Sequence, residues 1–500
     1  MAVAVFDVAI VGFGPSGAVA AALLGQAGHR VYVCDRSTEV YPKPRAIALD
    51  HEIMRVFQQL GLAAAIGPYT EPFTDSCYYG ADGRLIRRMT MVAPPYPQAW
   101  TPSMVFTQPA VDAEVRAAVA RLPNVQVELG AEVTGLQQDA QAAALTLAGG
   151  RRIDARWIIA CDGASSTLRG LAGITLDDLG FDEPWLVVDV LANQRGLAKL
   201  PPTSVQYCEP ARPCTLVIGP KNHRRWEISL NDGDDPRQAE TPEGTWALLK
   251  RWITPEDGQL WRQASYRFHA LVAHRWRAGR VFVAGDAAHQ QPPFLGQGMC
   301  QGIRDVFNLA WKLDAVLKRQ AGEGLLDSYG VERGRHVREL TTRLKNIGAL
   351  IGERDAARAR ARDERLLAEA GGTVRPQPRQ DVLPRLESGA LARDDSPARG
   401  ALFPQPWLQR QGQRVRMDDV VGIGWHLVLR DAALAHDAVL PGLRTLTLPE
   451  LDEADGVLAA WFHEHRCAAA LVRPDHYVFG TAADTAGVLE LVAQALAALN

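Results

Sequence analysis

Gly285-Asp-Ala-Ala-His-Gln-Gln-Pro-Pro-Phe-Leu-Gly-Gln-Gly298 is the stretch that decides how this chain folds. The preceding residues 280–284 (Arg-Val-Phe-Val-Ala) have the hydrophobic, β-branched character of a buried strand, which would deliver Asp286 to its tip. The prolines and glycines then predict an irregular loop, and a helix is expected to begin near Gly298. Because such a helix start offers unpaired N–H groups and the positive end of a dipole, the loop should hold an electron-rich or anionic ligand.

The N-terminal region carries a second pattern of the same strand, turn and helix kind. Residues 6–11 predict a buried strand, and they are followed by Gly12-Phe-Gly14-Pro15-Ser16-Gly17 and an alanine-rich helix over residues 18–26. A second predicted strand, residues 30–34, leads into Asp35. This is the dinucleotide-binding fingerprint in the context that it requires.

The residues of this fingerprint have separate roles. Gly12 makes the turn, Gly14 lets the backbone approach a pyrophosphate, and Gly17 lets the helix pack closely on the strand. Asp35 follows at the sequence distance needed to accept a hydrogen bond from an adenosine ribose hydroxyl. The sequence contains only one such fingerprint, because residues 422–424 (Gly-Ile-Gly) lack the third glycine and the flanking helix.

A third motif, residues 157–169, reads Trp-Ile-Ile-Ala-Cys-Asp162-Gly163-Ala-Ser-Ser-Thr-Leu-Arg, again a predicted strand that ends in an acid and a tight turn. Together the three motifs resemble the FAD-binding set of the single-component aromatic hydroxylases, the group of para-hydroxybenzoate hydroxylase and phenol hydroxylase. In that family the Asp-Gly-x-x-Ser-x-x-Arg element serves both FAD and the reduced nicotinamide. The Gly-Asp element holds the ribityl chain and pyrophosphate of FAD.

The resemblance extends over most of the chain. Residues 41–50 resemble the family segment that carries an arginine near the flavin, here Arg45. Residues 107–114 match the segment whose glutamine meets the cofactor, here Gln108. The residues predicted to contact FAD are Gly12, Gly14, Pro15, Ser16, Gly17, Asp35, Arg36, Arg45, Gln108, Val133, Asp162, Gly163, Asp286, Pro293, Gly296, Gln297, Gly298 and Met299.

Residues 207–213, 224–227 and 266–276 look most like the branch that acts on 3-(3-hydroxyphenyl)propionate and related phenols. The resemblance implies a monooxygenase that uses O2, non-covalent FAD and NADH or NADPH to hydroxylate a phenol next to its hydroxyl, through a C4a-hydroperoxyflavin. With one dinucleotide fingerprint, the nicotinamide is expected to visit transiently. Two alternatives stay open: the same chemistry on a polycyclic or antibiotic substrate, and a non-catalytic flavin-binding protein.

Ring attack is faster on a phenolate, so a general base or hydrogen-bond acceptor should lie near the substrate hydroxyl. If the substrate carries a carboxylate, an arginine should pair with it. Pro293 is expected to border the flavin during hydroxylation. The candidates for the base are Tyr207, His223 and His269, and the candidates for the carboxylate partner are Arg212 and Arg225.

The predicted fold class is α/β: a Rossmann-like FAD-binding domain of the para-hydroxybenzoate hydroxylase type, an inserted mixed β-sheet substrate domain and a C-terminal thioredoxin-like domain. The FAD-binding domain is expected over residues 1–71, 106–179 and 276–350, and the substrate domain over residues 72–105 and 180–275. A helix and linker would span residues 351–399. The thioredoxin-like domain, residues 400–500, has no Cys pair, which excludes a redox role for it.

Composition narrows the class of protein further. The chain has 500 residues, 47% of them hydrophobic, and a formal net charge of −3, which predicts two or three globular domains and no nucleic-acid partner. Its seven scattered cysteines fit a reducing cytoplasm and, with no His/Cys cluster in the sequence, predict no metal site. No uninterrupted apolar run predicts a membrane span. A homodimer is left open.

Overall fold

The computed structural model describes residues 6–434 and 439–500. Residues 1–5 of the predicted FAD-binding domain and residues 435–438 of the predicted C-terminal domain lie outside the described residues. Of the helices in the described ranges, none has the length and apolar character that crossing a membrane would require.

The first sheet has eight strands, five of which run parallel to one another. Such parallel strands are buried on both faces, which explains the nearly continuous hydrophobic runs in the sequence. Along the sheet the strands are Arg277–Ala278, Val281–Val283, Arg152–Ala160, Phe6–Val11, Val31–Asp35 and Val125–Leu129, with Ala143–Leu147 and Val133–Gln138 extending it from Arg152–Ala160. Its main helices are Pro15–Gln26, Gln108–Ala120, Gly298–Leu317 and Asp327–Ile351.

The second sheet has nine strands and is mixed, as the sequence predicts. Two long antiparallel strands dominate it. In spatial order its strands are His289–Gln290, Gly258–Ala273, Leu176–Ala192, His223–Ser229, Cys214–Ile218, Ser204–Tyr207, Ser76–Tyr79, Leu85–Thr90 and Pro376–Pro378.

A small antiparallel sheet and several short helices complete this part of the molecule. The sheet contains Ala48–Asp50, Ser103–Phe106 and Thr70–Pro72. The helices are His51–Gln59, Ala63–Ile66, Thr167–Leu171, Gln194–Lys199, Pro236–Ala239, Pro242–Leu249 and Ala356–Glu369. Single 3-10 turns span Gly67–Tyr69, Pro255–Asp257, Gly285–Ala287, Glu323–Leu326, Arg379–Val382 and Ala432–Leu434.

The C-terminal domain has the strand arrangement of the thioredoxin fold. Its sheet runs Leu443–Thr447, Trp425–Leu429, Ala469–Val472 and Val478–Ala482, with the first pair parallel and the other pairs antiparallel. Its helices are Met417–Val421, Leu448–Leu451, Val457–Glu464 and Thr485–Leu499, and a hairpin joins Trp407–Arg410 to Gln413–Arg416. The thioredoxin-like domain predicted from the sequence is therefore present.

One segment differs from its sequence-based interpretation as a linker. Within residues 351–399, the strand Pro376–Pro378 pairs in parallel with Leu85–Thr90 and forms the edge of the nine-stranded sheet. The residue that follows, Arg379, is buried. The proline content that indicates a linker is also compatible with an edge strand, because one side of such a strand needs no N–H donors.

Candidate functional site

A cavity of about 830 Å³ lies between the two large sheets. One wall is formed where the parallel strands of the first sheet end, at Gly12, Asp35, Cys161 and Ala284. The other wall is formed by side chains of the nine-stranded sheet. Ligands of open α/β sheets bind at the carboxyl ends of their strands, so this cavity is the candidate site.

The glycines of the N-terminal turn have different surroundings. Gly12 has a φ of +97°, and a Cβ there would lie 2.2 Å from the Cys161 carbonyl oxygen. A Cβ on Gly17 would lie 1.9 Å from the Gly12 carbonyl oxygen, so the helix can pack on the turn only without one. A Cβ on Gly14 would meet no protein atom within 4 Å and would enter the cavity. Gly14 is therefore open toward a ligand.

Asp35 closes the first wall at the end of its strand. Its two carboxylate oxygens accept hydrogen bonds from the backbone N–H groups of Phe13, at 2.6 Å, and Ser37, at 2.7 Å. These bonds orient the carboxylate toward the cavity, which Asp35 and Arg36 both line. Since a carboxylate can accept more than two hydrogen bonds, Asp35 can still bind a ribose hydroxyl.

The third motif forms a second acidic turn on the cavity wall. Asp162 accepts hydrogen bonds from the Ser166 hydroxyl, at 2.5 Å, and from the Leu168 backbone N–H, at 3.0 Å. Gly163, with a φ of +83°, follows it, and a Cβ there would meet no protein atom within 4 Å. Both residues line the cavity, so the turn presents backbone to a ligand.

Gln108, the first residue of the helix Gln108–Ala120, lines the cavity and binds the backbone of residues 45 and 46. Its Oε1 accepts hydrogen bonds from the backbone N–H groups of Arg45, at 2.9 Å, and Ala46, at 2.6 Å, and its Nε2 donates to Asp112 at 3.2 Å. Burial raises the pKa of Asp112 to about 6. Arg45, Gln108 and Val133 all line the cavity.

The loop after the strand Val281–Val283 presents Asp286 to the cavity. Asp286 is solvent-exposed, and no described residue within hydrogen-bond distance donates to its carboxylate. Asp305 of the helix Gly298–Leu317 fixes the position of this loop. It accepts a hydrogen bond from the Gly285 N–H at 2.9 Å and lies 2.7 Å from Nε2 of the buried His289. The loop therefore offers a free acceptor on a rigid base.

The loop ends at the N-terminus of the helix Gly298–Leu317, which no side chain caps. Pro293, Gly296, Gly298 and Met299 line the cavity. Gln297 does not line it, because its side chain turns away to donate to Asp50, at 3.2 Å, and accept from Arg304, at 2.9 Å. The unpaired N–H groups at this helix start favour negative charge in the cavity.

These features fit FAD. The backbone around Gly14 and Gly163 is open to a bulky phosphate-bearing group, and three carboxylates, Asp35, Asp162 and Asp286, are placed to bind hydroxyl groups along it. Of the residues that the sequence predicts to contact FAD, only Gly17 and Gln297 do not line the cavity. Within the described ranges, no group of three or more His, Cys, Asp or Glu residues is placed to hold a metal ion.

The residues proposed from the sequence for substrate chemistry divide into two groups. His269 and Arg225 line the cavity, with His269 Nδ1 3.4 Å from Asp182 and Arg225 bonded to Asp189 at 2.7 Å. Tyr207, His223 and Arg212 do not line it.

Tyr207, Arg212 and His223 each contact a protein residue outside the cavity lining. The Tyr207 ring packs 5.4 Å from that of Trp252, and Arg212 pairs with Asp234 at 2.5 Å. His223 is buried 2.7 Å from Asp189, and burial lowers its pKa. These three side chains therefore contact other protein groups and do not line this cavity.

Glu227 and Arg379 are among the cavity residues that sequence reasoning missed. Glu227 is buried on the strand His223–Ser229, two positions after Arg225 and on the same face. Because alternate residues of a strand lie on the same face, the candidate Arg225 could have indicated Glu227 as well. Arg379 lies in the segment interpreted as a linker, where no sequence signal marks it.

Arg379 is 9% exposed, and its guanidinium has only neutral partners. It donates to the Ser76 hydroxyl at 3.1 Å and to the Leu295 carbonyl at 3.2 Å, and it lies 4.1 Å from the centre of the Phe73 ring. Among the described residues, no carboxylate is within ion-pair distance of it. All four residues line the cavity.

Comparison with known proteins identifies the family. A model described as the FAD binding domain matches residues 5–344, and one described as the HcaD C-terminal domain matches residues 433–498. The chain belongs to this FAD-binding domain family. It is a flavin-dependent aromatic monooxygenase that uses FAD with a nicotinamide co-substrate, as the three motifs predict.

Named relatives cover almost the whole chain. It is 37% identical, over 99% of its length and 95% of the relative's, to a probable NADH-specific resorcinol 4-hydroxylase of Rhodococcus jostii (strain RHA1). It is 34% identical, over 94% of its length and 88% of the relative's, to a 3-(3-hydroxy-phenyl)propionate/3-hydroxycinnamic acid hydroxylase of Mycolicibacterium gilvum (strain PYR-GCK).

Solved structures share the fold. The p-nitrophenol 4-monooxygenase PnpA from Pseudomonas putida DLL-E4 is 28% identical with a TM-score of 0.67, over 73% of this chain and 94% of that one. The flavin-dependent monooxygenase PieE, solved with FAD and substrate, is 23% identical with a TM-score of 0.81 over 99% of both chains. The fold predicted from the sequence is thus confirmed.

Proposed function

We propose that this enzyme hydroxylates a small phenol with a carboxylate side chain, of the 3-hydroxyphenyl-alkanoate class such as 3-(3-hydroxyphenyl)propionate, ortho to the existing hydroxyl. The observation that carries this proposal is Arg379. A guanidinium stays charged at any physiological pH, and a buried charge without a partner is costly. An anionic group of the substrate would supply the counter-ion that the protein does not.

The curated relatives support this substrate class. Several relatives that are 32–34% identical are named 3-(3-hydroxy-phenyl)propionate/3-hydroxycinnamic acid hydroxylases. Resorcinol is the second candidate, because the relative that is 37% identical is named for it. Resorcinol has no carboxylate, so the contribution of Arg379 distinguishes the two. The same relative, named NADH-specific, supports NADH as the reductant.

The roles of the chain's own residues follow from their positions. FAD, when bound and reduced, supplies the activation of O2 that makes ring hydroxylation possible. Gly14 and Asp35 would hold its pyrophosphate and ribose, and Asp286 a hydroxyl of its ribityl chain. The N-terminus of the helix Gly298–Leu317 would stabilise negative charge on the reduced ring system. The nine-stranded sheet covers the substrate and excludes water.

Substrate specificity can be measured by comparing Arg379→Met with the natural enzyme. The assay follows NADH oxidation, peroxide and hydroxylated product for 3-(3-hydroxyphenyl)propionate, resorcinol and a panel of polycyclic phenols. We expect the natural enzyme to prefer the carboxylate substrate. The variant should lose about 100-fold in kcat/KM for it, mostly through KM, because a charge-assisted pair of this size is worth about 3 kcal/mol. Its kcat/KM for resorcinol should stay close to that of the natural enzyme.

Arg375→Gln is the matched control, since Arg375 is exposed four positions earlier in the same segment and does not line the cavity. A natural enzyme that prefers resorcinol, with equal effects of Arg379→Met on both phenols, would contradict the carboxylate substrate. Product only from a polycyclic phenol would favour that alternative.

The cytoplasmic location and a homodimer stay predictions.

A further inference from the structure

Glu227 belongs to a row of side chains that crosses the wall of the cavity. In the strand register it pairs with Val187 on one side and with Thr215 on the other, and Thr215 pairs with Gln206. Directly paired residues of neighbouring strands project from the same face of a sheet. All four residues line the cavity, so Glu227 is aimed into it with two neutral polar neighbours on one side.

In the part of the chain that the structure describes, the Glu227 carboxyl group has no partner. The residue is only 4% exposed, yet among the described residues no N–H or O–H group donates to its carboxylate and no cation pairs with it. The nearest hydroxyl in the row, that of Thr215, donates to Gln206 Oε1 at 2.5 Å instead. Buried polar groups are almost always hydrogen-bonded, so the missing partner should come from the ligand in the cavity.

Two other polar residues of this wall, Arg225 and His269, already have protein partners. Arg225 binds Asp189 at 2.7 Å and donates to the Arg45 carbonyl oxygen at 2.7 Å. His269 is about one-third exposed and lies 3.4 Å from Asp182, which is itself exposed. Among the described residues, Glu227 is thus a buried carboxylate of the cavity wall that no protein group binds.

We propose that the Glu227 carboxylate accepts the proton of the substrate's ring hydroxyl. This inference rests on the proposed function because it takes a phenol as the ligand. It does not depend on which phenol is used, since resorcinol and 3-(3-hydroxyphenyl)propionate both carry a ring hydroxyl.

The proton balance of this step is simple. The O–H bond of the phenol breaks, its proton binds to the Glu227 carboxylate, and the electron pair stays on the phenolate oxygen, which makes the ring more nucleophilic. After the ring carbon has received a hydroxyl group from activated O2, that carbon loses its own hydrogen as a proton, which binds to the second oxygen atom of O2 and leaves with it as water. The Glu227 carboxylic acid then returns its proton to the original oxygen, and the aromatic diol is complete.

The charges around Glu227 suit this exchange. Burial raises the pKa of Glu227 to about 7, Arg225 and Arg262 act to lower it, and Asp189 acts to raise it further. A base with this pKa is ionised above neutral pH and becomes protonated as the pH falls. Hydroxylation by the natural enzyme should therefore decline as the pH falls through about 7.

The test compares Glu227→Gln with the natural enzyme on 3-(3-hydroxyphenyl)propionate, on resorcinol and on a ring-fluorinated 3-(3-hydroxyphenyl)propionate whose hydroxyl is already ionised at the assay pH. We expect the variant to form product about 100-fold more slowly from the two unfluorinated phenols, with NADH oxidation diverted to peroxide. The fluorinated phenol, which needs no base, should be hydroxylated at a rate close to that of the natural enzyme. In the variant the decline near pH 7 should disappear, and product formation from the two unfluorinated phenols should instead follow the ionisation of the phenol itself at higher pH.

Glu183→Gln is the control, because Glu183 is a half-buried carboxyl on the neighbouring strand that bonds Trp185 at 3.0 Å and does not line the cavity. Equal losses on fluorinated and unfluorinated phenols, or an unchanged pH profile in Glu227→Gln, would overturn the assignment. If the natural enzyme hydroxylates no phenol, the proposed function itself fails. The ultraviolet difference spectrum of bound 3-(3-hydroxyphenyl)propionate then still tests Glu227, because only the natural enzyme should bind it as phenolate.

Discussion

At the scale of single residues, Gly14 and Gly17 are glycines for opposite reasons. A Cβ at Gly14 would meet no atom of the described residues within 4 Å, whereas a Cβ at Gly17 would collide with the Gly12 carbonyl. We expect Gly14→Val to give a folded protein without FAD, because its side chain would occupy the place of the pyrophosphate. Weaker helix capping should cost it only about 1 kcal/mol. Absorbance of bound flavin and thermal unfolding of the apoprotein measure the two effects separately.

Gly17→Ala is the contrasting variant of the same turn. It should lower the unfolding temperature of the apoprotein, because the helix Pro15–Gln26 must move to accommodate the methyl group, at a cost of about 1–3 kcal/mol. A Gly14→Val protein that retains its full FAD content would show that the cofactor does not approach the backbone at this turn.

At the scale of elements, the loop that presents Asp286 to the cavity depends on the helix Gly298–Leu317. Asp305 of that helix binds the Gly285 N–H and His289, and it accepts from Arg333 Nε at 2.8 Å. Burial alone would raise the pKa of Asp305, but the opposing charges of His289 and Arg333 outweigh it and lower the pKa. Asp305→Asn should therefore weaken FAD binding and destabilise the protein by about 3 kcal/mol, since it leaves Arg333 buried without its counter-ion.

Flavin affinity, measured by fluorescence titration, and chemical unfolding together test this dependence. Asp314→Asn serves as the control on the same helix, because Asp314 lies far along it and is only partly buried. Normal FAD affinity in a destabilised Asp305→Asn protein would show that the loop keeps its shape without the helix carboxylate.

At the scale of the whole molecule, buried ion pairs join the C-terminal domain to the FAD-binding domain. Glu332 of the helix Asp327–Ile351 binds Arg473 of the C-terminal domain at 2.7 Å and Lys312 at 2.8 Å. Arg55 of the FAD-binding domain also binds Asp418 of the C-terminal domain at 2.5 Å. We expect Glu332→Gln to cost about 3–5 kcal/mol of unfolding free energy, because two buried cations lose a counter-ion.

The ion pairs of Glu332 with Arg473 and Lys312 also predict that the free energy of unfolding depends on pH. Burial works to raise the pKa of Glu332, but Arg473 and Lys312 outweigh it and lower the pKa below the ordinary value of 4.5. The unfolded chain therefore binds the proton first, so the stability that Glu332 supplies above about pH 4.5 is lost as the pH falls further. Glu332→Gln should show a shallower loss of stability in this acid range.

Thermal unfolding from neutral pH down to the acid range measures both effects. The exposed pair Arg365–Glu369 provides the control: Glu369→Gln should change the unfolding free energy by less than about 1 kcal/mol. Separate unfolding transitions for the two domains in the natural enzyme would contradict an interface held in this way.

All but two of the residues that the sequence predicts to contact FAD line the cavity. Asp35, Asp162 and Asp286 each follow a hydrophobic strand, and the glycines beside them occupy turns whose geometry depends on only a few neighbouring residues. Sequence reasoning assigned Gln297 to the cofactor, yet its side chain binds Asp50 and Arg304 behind the loop. Which way a loop side chain turns depends on distant partners that a local pattern does not contain.

By itself, then, the sequence determined the class of the protein: parallel strands, acidic strand ends and glycine turns that define an FAD site. These features are local, because a turn and the helix that follows it are set by consecutive residues. Only the tertiary structure decided which side chains of the nine-stranded sheet and of the segment after it line the cavity. It placed Glu227 by the register of strands and Arg379 by pairing a proline-rich segment to a sheet edge. It also showed that Tyr207 and Arg212 do not line the cavity. A local sequence pattern does not contain this information, because contacts across a sheet depend on pairings between segments that are far apart in the chain.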